Sequence, residues 1–313
     1  MRFQTQITFQ QQEPQIDYKS KVLLLGSCFS QNMAEKLSYY QFDVLSNPFG
    51  IVFNPVSIVR LAARALNDEH FREKDIFFYN ERWQCYEVHS ELSQLDKEAY
   101  LNILNDSLAR LKAYLLSATH IVITLGTSWV YELEAQKKVV ANCHKVPQKE
   151  FCKRLLTVSE IEQTLESLQA LLAKHNPDVT VIYTVSPVRH IKDGIVENAR
   201  SKAQLLTAIH QVAHQKSFYF PSYEILLDEL RDYRFYEADM IHPSQVAIDY
   251  IWEQFNAVWI ASETLALQKK IAAIKQGMAH RPFNEHSEAH QKFLKKLQLK
   301  ISEVQKELPT CSF

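Results

Sequence analysis

The stretch KVLLLGSCFS, Lys21–Ser30, decides the fold. Val22–Leu25 are four consecutive branched residues without alternation, the pattern of a strand buried on both faces of a parallel sheet. The run stops at Gly26, which permits a tight turn, and a helical pattern follows over Gln31–Tyr40. Ser27 therefore lies at a strand-to-helix junction, where α/β folds concentrate their chemistry.

Working outward, the same grammar recurs. Phe42–Leu45 is a short apolar run ending in the loop signal Ser46-Asn47-Pro48-Phe49-Gly50, and Asn54 with Pro55 predicts a capped helix over Pro55–Leu66. Ile76–Val88 reads as a hairpin turning at Asn80-Glu81, and residues 96–117 carry leucines at helical spacing. His120–Leu125 is a second buried strand, halted at Gly126-Thr127-Ser128-Trp129. Trp129–Leu133 and Lys138–Ala141 then suggest another hairpin, Ser159–His175 a helix capped by Ser159, and Asp178–Val185 a strand ending at Ser186-Pro187-Val188-Arg189-His190. A helix over Asn198–His214, a brief strand at Phe218–Phe220, a short helix over Ser222–Leu230 and one from Pro243 or Ser244 to about Leu267 complete the core. Strands alternating with helices predict a three-layer α/β sandwich around a parallel sheet. Only five glycines occur in 313 residues, and Gly26, Gly50 and Gly126 close strand-like runs, so each marks a turn that other residues adopt at a cost.

From about Ala266 the composition shifts to Lys-rich amphipathic stretches broken at Arg281-Pro282, which divides the chain into an α/β domain over 1–265 and a helical extension over 266–313. Those helices are expected to pack on the domain or on a second subunit. A net charge of −1 supplies no field for nucleic acid or anionic lipid, and no apolar run reaches the ~18 residues of a membrane span. The polar N-terminus lacks the apolar core of a signal peptide, so the expected location is the cytoplasm. The cysteines, Cys28, Cys85, Cys143, Cys152 and Cys311, are odd in number and scattered, as suits reduced thiols. Cys143, His144 and Cys152 match no closed zinc spacing, so no metal is expected.

Serine catalysis needs a base, a group that orients it, and donors for the oxyanion. Ser27 supplies the hydroxyl, with its own N–H at the start of a helix. Asp239-Met240-Ile241-His242 places a carboxylate three residues before an imidazole in an irregular segment, which lets Asp239 hold Nδ1 and leaves Nε2 outward. Taken separately, a Ser after a Gly is an ordinary turn residue and a D-x-x-H spacing arises by chance; it is their places at opposite ends of an α/β chain that join them. Cys28 is the competing nucleophile, yet neighbouring side chains diverge, and its other role is to fill space beneath the helix. Arg189, His190 and Arg200 are candidates to line the same edge and hold an acidic or polyhydroxy substrate; Arg200 can equally pair with Glu197 or Asp193. Trp129 and Tyr131 can stack on a sugar ring or serve packing.

Gly26-Ser27-Cys28-Phe29-Ser30 resembles the signature of the bacterial GSCFA-domain proteins, with Ser30 in place of the final Ala. The likeness runs through Asn47–Pro55, Thr124–Glu132, Thr184–His190, Glu197–Leu205 and Asp228–Ser244. It implies the flavodoxin-like fold of the SGNH or GDSL hydrolases, which cleave esters without a cofactor. On that resemblance Ser27 is the nucleophile, His242 the base and Asp239 its partner. Gly50 corresponds to the oxyanion-hole glycine, while Ser128, beside Thr127, stands where the family pattern has Asn, so that Ser128 or Asn47 must complete the hole. The implied substrate is a small acyl ester, with an O-acetylated carbohydrate as the analogy; the alternatives are a ligand-binding or scaffold protein that has lost turnover, and acyl transfer by Cys28.

Overall fold

A computed structural model of the chain describes residues 4–313. Ten strands occur in it: β1 (Lys21–Gly26), β2 (Asp43–Ser46), β3 (Phe77–Tyr79), β4 (Arg82–Gln84), β5 (His120–Leu125), β6 (Trp129–Leu133), β7 (Lys138–Val140), β8 (Phe151–Leu155), β9 (Thr180–Val185) and β10 (Ser217–Tyr219). The helices are α1 (Cys28–Tyr39), α2 (Pro55–Leu66), α3 (Lys97–Ser117), α4 (Val158–His175), α5 (Ile195–Val212), the short α6 (Ser222–Glu224), α7 (Gln245–Trp259), α8 (Leu265–Ala279) and α9 (Glu288–Glu307).

Five strands form one parallel sheet in the order β10-β9-β5-β1-β2. Strand alternation sends successive side chains to opposite faces. Leu23, Leu25, Ile121, Ile123, Val181 and Tyr183 join a core with α2, α3, α4 and α5. Val22, Leu24, Val122 and Ile182 join a second core with α1 and α7. Burial on both sides explains why these strands read as unbroken apolar runs. The sheet is the three-layer arrangement that the sequence predicts.

Strand order places the turns after β1, β5 and β9 side by side, since those three strands are neighbours at the centre of the sheet. Gly26 has φ of +133°, and a Cβ built on it would lie 2.1 Å from the Thr124 carbonyl oxygen. Only glycine lets β1 approach β5 that closely before the chain turns into α1.

Three local expectations change. The second hairpin is a three-stranded antiparallel sheet, β7-β6-β8, because Phe151–Leu155 pairs along β6. The cap of α4 is Thr157, whose capping box with Glu160 satisfies both ends of the first turn, and not Ser159. The helix expected from Ser244 to Leu267 is broken: Ile16 pairs with Ile260, its N–H donating to Trp259 O at 2.7 Å and its carbonyl accepting from Ala261 N–H at 2.9 Å. Those long-range backbone bonds replace helical ones. The C-terminal helices α8 and α9 pack on each other through Ile271, Ile274, Leu297 and Val304, with Tyr18 of the main body against the same cluster. Among the described residues no helix is long and apolar enough to cross a membrane.

Candidate active site

Ser27 caps α1: its backbone is extended and its Oγ accepts from the Phe29 N–H at 3.2 Å. The residue is buried, with 1 % exposure. It thus stands at the C-terminal end of a central strand and at the positive end of a helix, as the turn grammar requires. The N–H of Ser27, expected to face an oxyanion, donates instead to Thr124 O at 3.1 Å. The hydroxyl has no hydrogen bond to His242 in this conformation.

The base and its carboxylate form a closed unit. Asp239 Oδ2 lies 2.6 Å from His242 Nδ1, and Asp239 Oδ1 accepts the Ile241 and His242 N–H groups at 2.8 and 3.0 Å. These hydrogen bonds hold the Asp239 carboxyl at about 2, below its ordinary value. An ionised carboxylate on Nδ1 keeps the proton there and leaves Nε2 to accept another. Both side chains are about half exposed.

The loop carrying them is fixed at its base. Tyr236 bridges to Pro243, Glu237 N–H donates to His242 O at 2.8 Å, and Arg189 N–H donates to Ile241 O at 3.2 Å. The Arg189 guanidinium lies over the rings of Tyr233 and Tyr236, 5.6 and 5.2 Å from their centroids. Arg189 therefore ties the Asp239–His242 loop to the chain leaving β9.

The oxyanion expectations divide. Ser128 is fully buried, and its hydroxyl is engaged by Ser201 O and Oγ, both at 3.1 Å, and by Gln204 Oε1 at 3.2 Å. Thr127 Oγ1 lies 2.8 Å from Ser201 Oγ and accepts from the Trp129 N–H at 3.0 Å. Both hydroxyls serve the packing of the β5 turn on α5. The Gly50 N–H donates to Asn47 O at 2.8 Å, inside its own turn, and so is not a free donor. Asn47 is left: its Oδ1 accepts from the Gly26 N–H at 2.8 Å, which anchors the amide next to Ser27, while its buried Nδ2 has no partner. An unpaired buried amide N–H is costly, and this one is a donor without an acceptor beside the β1 turn. The N–H of Cys28 lies in the first turn of α1, where it has no intrahelical acceptor.

Lys202 was not legible as part of this edge. It is buried on α5, with Nζ donating to Gly126 O and Ser186 O, each at 2.7 Å. One ammonium thereby links the turns after β5 and β9. Burial lowers its pKa to about 7. His190 stacks on Phe53 with ring centroids 5.1 Å apart, and its N–H donates to Asn198 Oδ1 at 2.9 Å. Burial first, then the charges of Lys202 and His242, lower the His190 pKa to about 3, so the ring is neutral at pH 7. Lys202, Ser201 and Asn198 share one side of α5 at a spacing of one turn, a pattern that a search for acids and nucleophiles passes over.

The remaining candidates are peripheral. Arg200 is exposed and paired with Glu197 Oε2 at 2.9 Å, the alternative its spacing allowed. Trp129 Nε1 donates to Glu197 O at 3.2 Å, and the Lys153 ammonium lies over the Trp129 and Tyr131 rings. Burial raises the Cys28 thiol pKa, which disfavours the thiolate that acyl transfer requires. All five cysteines are free, and among the described residues no group of three or more His, Cys, Asp or Glu side chains is arranged to hold a metal ion.

A doubly covered parallel sheet that presents a capped serine, an Asp–His pair and a backbone clamp at one edge defines the class: an α/β protein with a candidate site at the strand ends. The chain belongs to the GSCFA family, whose model matches residues 21–255, and a model described as the GSCFA domain protein C-terminal domain matches residues 271–313. No curated protein matches. Two solved structures are similar at 10 % identity over 80 % of this chain. One is an acetyl esterase mutant with acetate ion, 99 % covered with a TM-score of 0.37; the other is a carbohydrate esterase family 3 protein from Talaromyces cellulolyticus, 98 % covered with a TM-score of 0.36.

Proposed function

We propose that the protein is a serine esterase of the SGNH type. The observation that carries this is the Asp239–His242 pair: a carboxylate bound to Nδ1 and to two backbone N–H groups, on a loop fixed to the sheet edge that ends in Ser27. As substrate binds, His242 Nε2 closes on the Ser27 hydroxyl, a contact that forms in the Michaelis complex. Ser27 Oγ attacks the ester carbonyl while His242 takes its proton. The carbonyl oxygen becomes an anion facing Asn47 Nδ2 and the Cys28 N–H. Imidazolium returns the proton to the departing alkoxide, releasing the alcohol. Water, deprotonated by His242, then cleaves the acyl-serine to free acid and serine.

Each residue acts by a stated physical effect. Asp239 fixes the tautomer and stabilises the imidazolium. Loss of one oxyanion donor costs about 3–4 kcal/mol in the transition state, so Asn47 carries weight once Ser128 and Gly50 are engaged elsewhere. The reading requires no cofactor.

The test is hydrolysis of p-nitrophenyl acetate by the wild type and by Ser27→Ala, together with fluorophosphonate labelling. The expected result is turnover and a label on Ser27, both lost in Ser27→Ala with the thermal midpoint preserved. Unchanged hydrolysis in Ser27→Ala would sink the assignment. A second reading, a binding protein of the same fold without turnover, is favoured by the Ser27 hydroxyl resting on Phe29 N–H; a folded wild type that neither hydrolyses nor labels at neutral pH would select it.

A further inference from the structure

Beside the strand edge lies a cleft of about 350 Å³, between the Ile51–Phe53 loop and the small sheet β7-β6-β8. That volume is within the ~300–1,000 Å³ of small-molecule sites. Its walls include Phe53, Tyr131, Val140, Ala141, Val146 and Phe151. The floor is a separate apolar cluster of Leu133, Val140 and Phe151, packed with Tyr131, Cys143 and Val146. Burial raises the pKa of Cys143, which also lines the cleft, to about 11, so that thiol stays uncharged. No Asp, Glu, Lys or Arg lines it, and the polar groups present are an imidazole, a phenol, two amides and the thiol. Such walls repel an ion and favour a neutral, largely hydrocarbon group.

Two contacts join the cleft to the candidate catalytic edge. Phe53 lines it, accepts the Gly126 N–H on its carbonyl at 2.8 Å, and stacks on His190. His89 also lines it, and the His89 Cβ lies 2.5 Å from where a Cβ on Gly50 would sit, so the turn that holds Asn47 backs directly onto the cleft. Both contacts set the cleft against the turns after β2 and β5, on either side of the turn that carries Ser27.

We propose that this cleft is the acyl subsite of the esterase and that it takes a medium-length hydrocarbon acyl group, of about six to ten carbons, in preference to acetyl. The proposal rests on the esterase reading for its chemistry and on the cleft alone for its ligand. Each methylene that enters raises kcat/KM about fourfold until the cleft is full.

The test compares p-nitrophenyl acetate and octanoate on the full chain, with Ala141→Trp and Val146→Trp as separate variants that fill the cleft, and measures octanamide and acetamide binding to Ser27→Ala calorimetrically. The expected result is an octanoate preference of 100-fold or more, abolished by either tryptophan with acetate turnover within twofold of wild type, and octanamide bound where acetamide is not. Octanamide binding that Ala141→Trp removes, with neither ester hydrolysed, would support the cleft and sink the esterase. Acetate turnover with no gain for octanoate, and no octanamide binding, would overturn the cleft and leave the esterase standing.

Discussion

Asp239 shows how much a single side chain can organise. It holds the imidazole through Oδ2 and the backbone of its own loop through Oδ1, so orientation and loop shape depend on one carboxylate. Replacing it by Asn keeps the size, but with Oδ1 still accepting the two backbone N–H groups the amide N–H faces Nδ1, which favours the wrong tautomer. For the proposed esterase, Asp239→Asn should lower kcat by about 10³–10⁴-fold with KM nearly unchanged, read with a soluble ester under saturating conditions. A drop confined to KM would mean that Asp239 only shapes the binding surface. Asn47 makes the complementary case, with one amide oxygen structural and the amide nitrogen unpaired. Asn47→Asp keeps the acceptor for Gly26 N–H and removes the donor, so it should cost about 10²-fold or more in kcat with the fold intact, as checked by circular dichroism beside the rate.

The β1–α1 junction is the element on which the site depends. Gly26 must approach Thr124 O closely, with a backbone that L-residues adopt at a cost of about 1–2 kcal/mol, and a Cβ there meets the main chain of β5 and not a movable side chain. Gly26→Ala should therefore destabilise the protein by about 2–5 kcal/mol in urea unfolding, or prevent it from folding. The capping box of α4 is the mild contrast: Thr157→Ala should cost about 1 kcal/mol, since only two first-turn hydrogen bonds depend on it. A Gly26→Ala effect no larger than that would show that β1 can shift away from β5.

At the scale of the whole molecule, buried bases make stability depend on pH, His190 and Lys202 among them. His190 is neutral when folded, with its pKa lowered to about 3, whereas the unfolded chain takes up a proton near 6.5. The unfolded state binds more protons between those values, so His190 contributes stability above pH 6.5 that is lost as the pH falls toward 3. Lys202, lowered to about 7 against about 10.5 when unfolded, acts in the same direction in a higher window: its charge is costly at pH 7 and below, and stability rises as the pH climbs toward 10.5. The stability of the wild type relative to Lys202→Met should grow from pH 7 to pH 9.5, measured by urea midpoints at each pH. A constant difference would mean that the bonds to Gly126 O and Ser186 O hold the ammonium charged throughout.

Local patterns in the sequence determined the apolar strands, most helix starts and the Asp239–His242 pair, because each depends on neighbours within a few positions. Val22–Leu25, His120–Leu125 and, within the expected Asp178–Val185, Thr180–Val185 read as doubly buried strands for the same reason that they are: both faces of the sheet are covered. The tertiary structure alone decided what distant residues do to one another. Ile16 breaks the helix after Trp259, Phe151–Leu155 adds a third strand to the small sheet, and Lys202 joins two turns from a helix that sequence spacing does not connect to them. Gly50 was matched to the oxyanion-hole glycine, and Ser128 and Asn47 stayed open as alternatives so long as only residue type was known. Hydrogen-bond supply separates them, since the first two have their donors engaged and Asn47 Nδ2 does not, and that supply is a property of packed neighbours.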